Sequence, residues 1–199
     1  MHKENVLITD ISAPFACNGS SGARLERVLA SVCAVAAVAL VSGCATSPPK
    51  GVTPITGFEP ERYMGTWYEI ARLDHSFERG LSQVTAEYTL NDNGTIKVVN
   101  RGYNAAKDKW NSAEGKAKFR EDQTVGSLKV SFFGPFYGGY HIVVLDDDYQ
   151  HALIAGPTRK YLWILARDPK LDDDTYTRLV DKAESLDFPV DELIKVDHE

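Results

Sequence analysis

From Gly65 onward, apolar and polar side chains alternate with a period of two, and turn-forming residues break the pattern about every 8–12 positions. Successive side chains of a strand point to opposite faces, so this alternation describes strands with one face dry and one wet. Thr66 to Arg72 alternates, with Trp67, Glu69 and Ala71 on one face. Val84 to Leu90 and Ile96 to Tyr103 flank Asn91-Asp92-Asn93-Gly94, a hairpin signal because Asn-Gly accepts positive φ. Trp110 to Arg120, Leu128 to Phe132, Tyr140 to Leu145, Ala152 to Ala155 and Tyr161 to Ala166 complete eight strands.

After the eighth strand the period changes. Asp172-Asp173-Asp174 forms an N-cap cluster whose negative charge suits the positive end of a helix. Tyr176, Leu179, Val180, Ala183 and Leu186 follow at helical spacing, Pro189 stops the run, and Leu193 to Val196 reads as a last short strand. The fold class is all-β: an eight-stranded antiparallel up-and-down barrel with one C-terminal α-helix packed outside. Closure removes the sheet edges, and eight strands enclose room for one small ligand.

The N-terminus reads as an address. Arg24 and Arg27 precede the 14-residue apolar run Val28 to Val41, which Ser42-Gly43-Cys44 closes. As a helix that run would be about 21 Å long, short of the roughly 30 Å bilayer core. Positive flank, short apolar run and small residues make a secretory signal. Val41-Ser42-Gly43-Cys44 resembles the bacterial lipobox, in which cleavage precedes a cysteine whose thiol carries diacylglycerol. The first 23 residues, with Glu4 and Asp10, make an unusually long leader, so a mis-assigned start and a tolerated extension are both open. The expected division is 1–43 signal, 44–56 lipidated tether rich in Pro and Ser, and 57–199 barrel domain. Ala45 stands where Asp would retain a lipoprotein in the inner membrane, so the resemblance to the lipobox implies the outer membrane.

The remaining chemistry is mostly excluded. A net charge of −6 with no basic block argues against nucleic acid as a partner. His75, His141 and His151 have no metal-ligand spacing, and Asp146-Asp147-Asp148 lacks the pattern of a calcium loop, so no metal and no cofactor are expected. Gly134-Pro135-Phe136-Tyr137-Gly138-Gly139 lacks the Lys-Ser/Thr of a phosphate loop and reads as a rim hairpin. No Gly-x-Ser-x-Gly elbow occurs.

Gly65-Thr66-Trp67 at the first strand, Asp147-Asp148-Tyr149 between strands six and seven, and Arg167 after strand eight resemble, in order, the three signatures of the lipocalin family. Asp147 stands where Thr is usual. Trp67 to Gly80, Lys129 to Tyr140 and Tyr161 to Arg167 further resemble the bacterial lipocalins, outer-membrane lipoproteins of Gram-negative bacteria, and the likeness runs over about residues 57–198. It implies that Trp67 points into the barrel floor and that the Arg167 guanidinium packs across it, a cation–π contact.

With Trp67 inward, strand parity turns Glu69 and Ala71 inward, and Tyr161, Trp163 and Leu165 share the face of Arg167. The apolar parity of the other strands adds Ala86, Val98, Ala117, Val130, Phe132, Tyr140, Ile142 and Leu153 to the expected cavity wall. Trp67 and Arg167 are read as floor and structural, while Tyr140, Tyr161 and Trp163 are placed nearer the mouth. Glu69 is the oddity, because an inward carboxylate must be paired, protonated or ligand-bound. These walls suit an elongated apolar ligand, and the resemblance implies fatty acids, lysophospholipids or a similar amphiphile. The expected function is an outer-membrane, lipid-anchored carrier or store of such lipids, tied by the resemblance to envelope stress or maintenance. A lipocalin-scaffold isomerase or epoxide enzyme using Glu69 with an inward Tyr is the alternative, and a filled structural barrel is a third. Monomer and dimer are both open.

Overall fold

A computed structural model describes residues 46–198; the signal stretch and Cys44 lie outside the described residues. A short helix α1 (Pro60–Tyr63) leads into β1 (Gly65–Arg72), β2 (Leu81–Leu90), β3 (Ile96–Asn104), β4 (Lys109–Phe119), β5 (Ser127–Phe133), β6 (Phe136–Leu145), β7 (His151–Ala155) and β8 (Leu162–Ala166). Helix α2 (Asp173–Glu184) and β9 (Ile194–Lys195) follow. Each strand pairs antiparallel with the next, and β1 pairs with both β8 and β2, which closes the eight-stranded barrel. The ninth strand lies on β1 at Ala71 and Arg72, beyond the point at which the β1–β2 pairing ends.

Burial divides into two layers. The interior cluster holds Trp67, Tyr88, Ile96, Val98, Ala117, Leu128, Ile142, Ile154 and Leu165. The second lies between the barrel wall and α2, where Leu179 and Ala183 meet Leu153, Ala155, Leu162, Ile164 and Ala166. Asp172 caps α2 by accepting the Thr175 amide at 2.9 Å, and Asp173 and Asp174 stand in its first turn.

Several inward assignments, including those of Ala71, Leu153 and Val144, differ from the sequence reading. A register shift between Glu69 and Ala71 makes a bulge, so Ala71 turns to the helix side and Arg72 turns inward. Leu153 also packs on the helix side, while Ala152 and Ile154 face the interior. Strand β7 is apolar on both faces because both are covered, so alternation there carries no information. A similar shift between Ile142 and Val144 moves Val144 to the helix-side layer.

The stretch expected as a free tether is seated on the barrel from Thr46 onward. The Arg120 Nη2 donates to Ser47 Oγ at 3.2 Å, and the Ile55 amide donates to the Ile142 carbonyl at 2.9 Å. The Gly126 amide donates to Ile55 and the Phe58 amide to Thr124, while Val52 and Phe58 are buried. His141, buried under Thr46 and Ser47, bonds to Ser127 Oγ at 3.1 Å. Burial, with the Arg120 charge, lowers the His141 pKa to about 4.

The three signature segments meet at one end. The Arg167 Cζ lies 4.1 Å from the centre of the Trp67 ring. Its guanidinium donates to the carbonyls of Thr66, Met64 and Arg62 at 2.8, 2.8 and 2.9 Å. Trp67 Nε1 donates to the Tyr63 carbonyl at 2.9 Å, and the Tyr149 hydroxyl accepts the Glu59 amide at 2.9 Å. Trp67 has no solvent exposure. Trp67→Ala should therefore destabilise the fold by about 3–5 kcal/mol, read as a lowered midpoint in urea or thermal unfolding. A normal midpoint would show that the floor does not depend on this ring.

Candidate functional site

The barrel interior has a sealed end and an accessible one. At the sealed end Trp67, Tyr63 and Phe58 form an aromatic plug, with Tyr63 and Trp67 ring centres 4.7 Å apart. Three hydroxyls meet above it: Tyr63 and Tyr140 at 2.7 Å, Tyr88 and Tyr140 at 2.9 Å. Burial raises all three tyrosine pKa values, so these hydroxyls stay neutral and bond to one another. Tyr140 thus belongs to the floor, not near the mouth: it pairs with Leu128, the second residue of β5, at the closed end.

Above the floor, Ala86, Val98, Ala117, Val130, Phe132 and Ile142 belong to the interior cluster. Ala86, Asn100, Val130 and Trp163 face inward yet are only half-buried, whereas Trp67 and Val98 are not accessible. Access therefore comes from the end carrying the β1–β2, β3–β4, β5–β6 and β7–β8 connections. Tyr161 and Trp163 stand there, with ring centres 6.2 Å apart, beside His75 and Phe77.

One charged cluster interrupts the apolar wall toward that end. Glu69 Oε1 accepts from Arg72 Nη1 at 2.6 Å, and both side chains are buried. Arg72 Nη2 also donates to the carbonyls of Glu78 and Leu81 at 3.0 and 3.1 Å. Glu78 Oε2 accepts the Trp163 indole N–H at 3.1 Å and lies 3.0 Å from His75 Nε2. Burial pushes the Glu69 carboxyl well above its usual range, the Glu78 charge adds to this, and Arg72 pulls the other way. Burial pushes Glu78 up as well, but the His75 and Trp163 hydrogen bonds and the His75 and Arg72 charges hold it below the usual range. Asn100 Oδ1 and Arg72 Nε are buried without a protein hydrogen-bond partner. The cluster can meet a polar head group while the rest of the interior meets an apolar chain.

Sequence parity found Glu69 and Trp163 but not Arg72, Glu78 or His75. Arg72 follows the bulge, and Glu78 and His75 sit in the β1–β2 connection, where no periodicity reports orientation. Among the described residues no cluster of three or more His, Cys, Asp or Glu side chains could hold a metal ion.

The raised Glu69 pKa has a signed consequence. The folded chain holds this proton to higher pH than the unfolded chain, whose carboxyl titrates near 4.5. The resulting stabilisation is fully present below 4.5 and is lost as pH rises through the folded value. Glu69→Gln should remove that slope from unfolding midpoints measured across acidic to neutral pH. An unchanged slope would place the titration elsewhere.

Comparison with known proteins agrees with this geometry. The family description "Lipocalin-like domain" matches residues 58–198. The chain is 52% identical over 171 residues to "Outer membrane lipoprotein Blc" of Citrobacter freundii, covering 85% of this chain and 97% of that one. It is 50% identical over the same length and coverage to the protein of that name from Escherichia coli strain K12. Rattus norvegicus apolipoprotein D is 33% identical over 129 residues, covering 61% of this chain and 67% of that one. Among solved structures, the cockroach allergen Per a 4 superposes with a TM-score of 0.61 at 23% identity, covering 77% of this chain and 96% of that one. Insecticyanin from the tobacco hornworm superposes with a TM-score of 0.60 at 20% identity, covering 77% and 87%. These two likenesses concern the fold. With the matched domain, the closed eight-stranded barrel and the Trp67–Arg167 floor in hand, the chain belongs to the lipocalin family.

Proposed function

We propose that this protein is a lipid-anchored outer-membrane lipocalin that holds a fatty acid, a lysophospholipid or a similar small amphiphile in its barrel. Membership of the family makes it a binding protein for small hydrophobic ligands. The observation that carries the finer reading is an apolar interior with one charged cluster, Glu69–Arg72–Glu78, toward its open end. An acyl chain would lie along Ala86, Val98, Ala117, Val130 and Ile142 toward the tyrosine floor. Its polar head would stay near Arg72, beside Trp163 and Tyr161 at the mouth. The relatives named outer membrane lipoprotein support the same address for this chain, with Cys44 as the acylated residue. A part in envelope maintenance fits a protein that stores or moves membrane-derived lipids.

The enzymatic alternative would need Glu69 beside an inward tyrosine hydroxyl, and the hydrogen-bond partners of these groups favour the binding reading. Among the described residues Glu69 bonds to Arg72, while the floor tyrosines bond to one another.

Two measurements test the proposal. An acyl chain against the Trp163 indole removes apolar area from water at about 25 cal/mol per Å². Trp163→Ala should weaken a fluorescent fatty acid about tenfold, equal to about 1.4 kcal/mol, in a direct titration. Unchanged affinity would place the ligand elsewhere. Cys44→Ser should move the protein out of the membrane fraction, because several acyl chains bind far more tightly than the marginal hold of one. Retention of an unmodified chain there would overturn the anchor.

A further inference from the structure

The outer wall of β3, β4 and β5 carries a block of lysines. Val98, Ala117, Leu128 and Val130 belong to the barrel interior, so the alternate residues Lys97, Lys116, Lys118 and Lys129 stand on the outside. Lys97 pairs directly with Lys116 across β3 and β4, and Lys118 pairs directly with Lys129 across β4 and β5. Like charges at directly opposed positions repel. Glu114 answers Lys97 at 3.1 Å, and Lys129 lies 5.8 Å from the centre of the Tyr137 ring. Among the described residues Lys116, Lys118 and Lys129 form no ion pair with a carboxylate. The fold thus holds together a cationic wall that nothing within the barrel neutralises.

The rest of the chain is charged the other way. The net charge is −6. Residues 168–192 hold nine Asp and Glu against three Lys and Arg. Helix α2, within that stretch, packs on β7 and β8, about half-way round the barrel from β4. An anionic surface would attract the lysine wall and repel the helix side, so it would orient the barrel.

The N-terminal segment ends beside the lysines. It turns at Lys50, whose carbonyl accepts from Arg159 in the β7–β8 connection at 2.8 Å, and comes back to Arg120, which donates to Ser47 at 3.2 Å. Thr46 then lies on the outside of β6, where a Cβ placed on Gly139 would stand 2.9 Å from its carbonyl oxygen. Gly139 is the direct partner of Lys129, and Lys129 is the direct partner of Lys118. Cys44 precedes Thr46 by two residues, so its Cα lies within about 7 Å of Thr46 by chain length alone. That reach is no longer than the screening length of about 8 Å at physiological salt. An acyl anchor on so short a leash holds this side of the barrel where its lysines feel the charge of the head groups.

The geometry points to the wall of Lys97, Lys116, Lys118 and Lys129 as a docking surface for an anionic phospholipid bilayer, on which the barrel lies sideways with α2 turned away. The inference rests on the reading of Cys44 as the acyl anchor and adds a second, electrostatic hold that fixes orientation. Lysine stems lie along the wall while their ammonium groups meet lipid phosphates.

The test uses the full chain, processed and acylated by the cell, in vesicles of phosphatidylethanolamine and phosphatidylglycerol. One fluorophore is attached at Lys116→Cys, which leaves three lysines on the wall, or at Asp181→Cys on α2. Lipid carrying a nitroxide on its head group should quench the probe at 116 about threefold more strongly than the probe at 181. The difference should vanish in vesicles of phosphatidylcholine alone. It should also vanish when Lys97→Gln, Lys118→Gln and Lys129→Gln are added, while the thermal midpoint of that variant stays level or rises as the repulsion is relieved. Equal quenching at 116 and 181 in the anionic vesicles overturns the docking. So does a difference that persists in phosphatidylcholine or in the glutamine variant, because the anchor alone would then set the orientation. A change at 116 without lipid that grows with protein concentration would make the wall a seat for the acidic side of a second copy, and also overturns it. If mass spectrometry finds no acyl group on Cys44, the anchor reading fails. Preferential sedimentation of that chain with anionic over neutral vesicles then decides the lysine wall by itself: equal partition overturns it.

Discussion

The stack of Arg167 on Trp67 is the contact from which the rest of the architecture follows. A barrel closed only by hydrogen bonds between its first and last strands would have an open floor at both ends. Here one guanidinium, placed just after β8, covers the indole of β1 and donates to three carbonyls of the chain around the start of β1. A planar, permanently charged fork can do both at once, which a lysine cannot. Trp67 in turn holds Tyr63, and Tyr63 joins Tyr88 and Tyr140 from across the barrel. With that end sealed, anything that enters the interior must come past Trp163 and Tyr161.

The same wall is buried on its other face. The helix α2 covers β7 and β8, and the segment from Thr46 to Phe58 covers part of β5 and β6. This two-sided burial stiffens the cage but leaves the interior uneven. A wholly apolar barrel would be simpler to stabilise, since the cost of taking two charges out of water can exceed the attraction between them. The Glu69–Arg72 pair is kept inside nevertheless, at the half of the barrel where a ligand's polar group would come to rest.

The overall plan was legible from the sequence because it depends on period. Alternation and the spacing of turn residues together located the eight strands, and the change to helical spacing located α2 with its Asp172 cap. The interior faces of β2, β3, β4 and β5 followed from parity. Parity failed where a strand carries an extra residue, as at Ile70 and Val143, or where both faces are dry, as along β7. A bulge is a backbone event with no compositional mark in Glu69-Ile70-Ala71-Arg72. The depth of Tyr140 depends on the stagger between strands, which no single strand encodes. Arg72, Glu78 and His75 needed the path of an irregular connection. The seated N-terminal leg was hidden by its Pro- and Ser-rich composition, which describes an extended chain equally well whether free or lying on a wall.

The central claim is that the calyx holds an amphiphile. Native mass spectrometry of the full chain, released gently from the membranes of the cells that make it, tests this most directly. The account predicts a folded species heavier than the acylated polypeptide by one fatty acid or lysophospholipid, with the extra mass lost on unfolding. A folded species at the mass of the acylated polypeptide alone, unaltered by incubation with fatty acid or lysophospholipid, would contradict it.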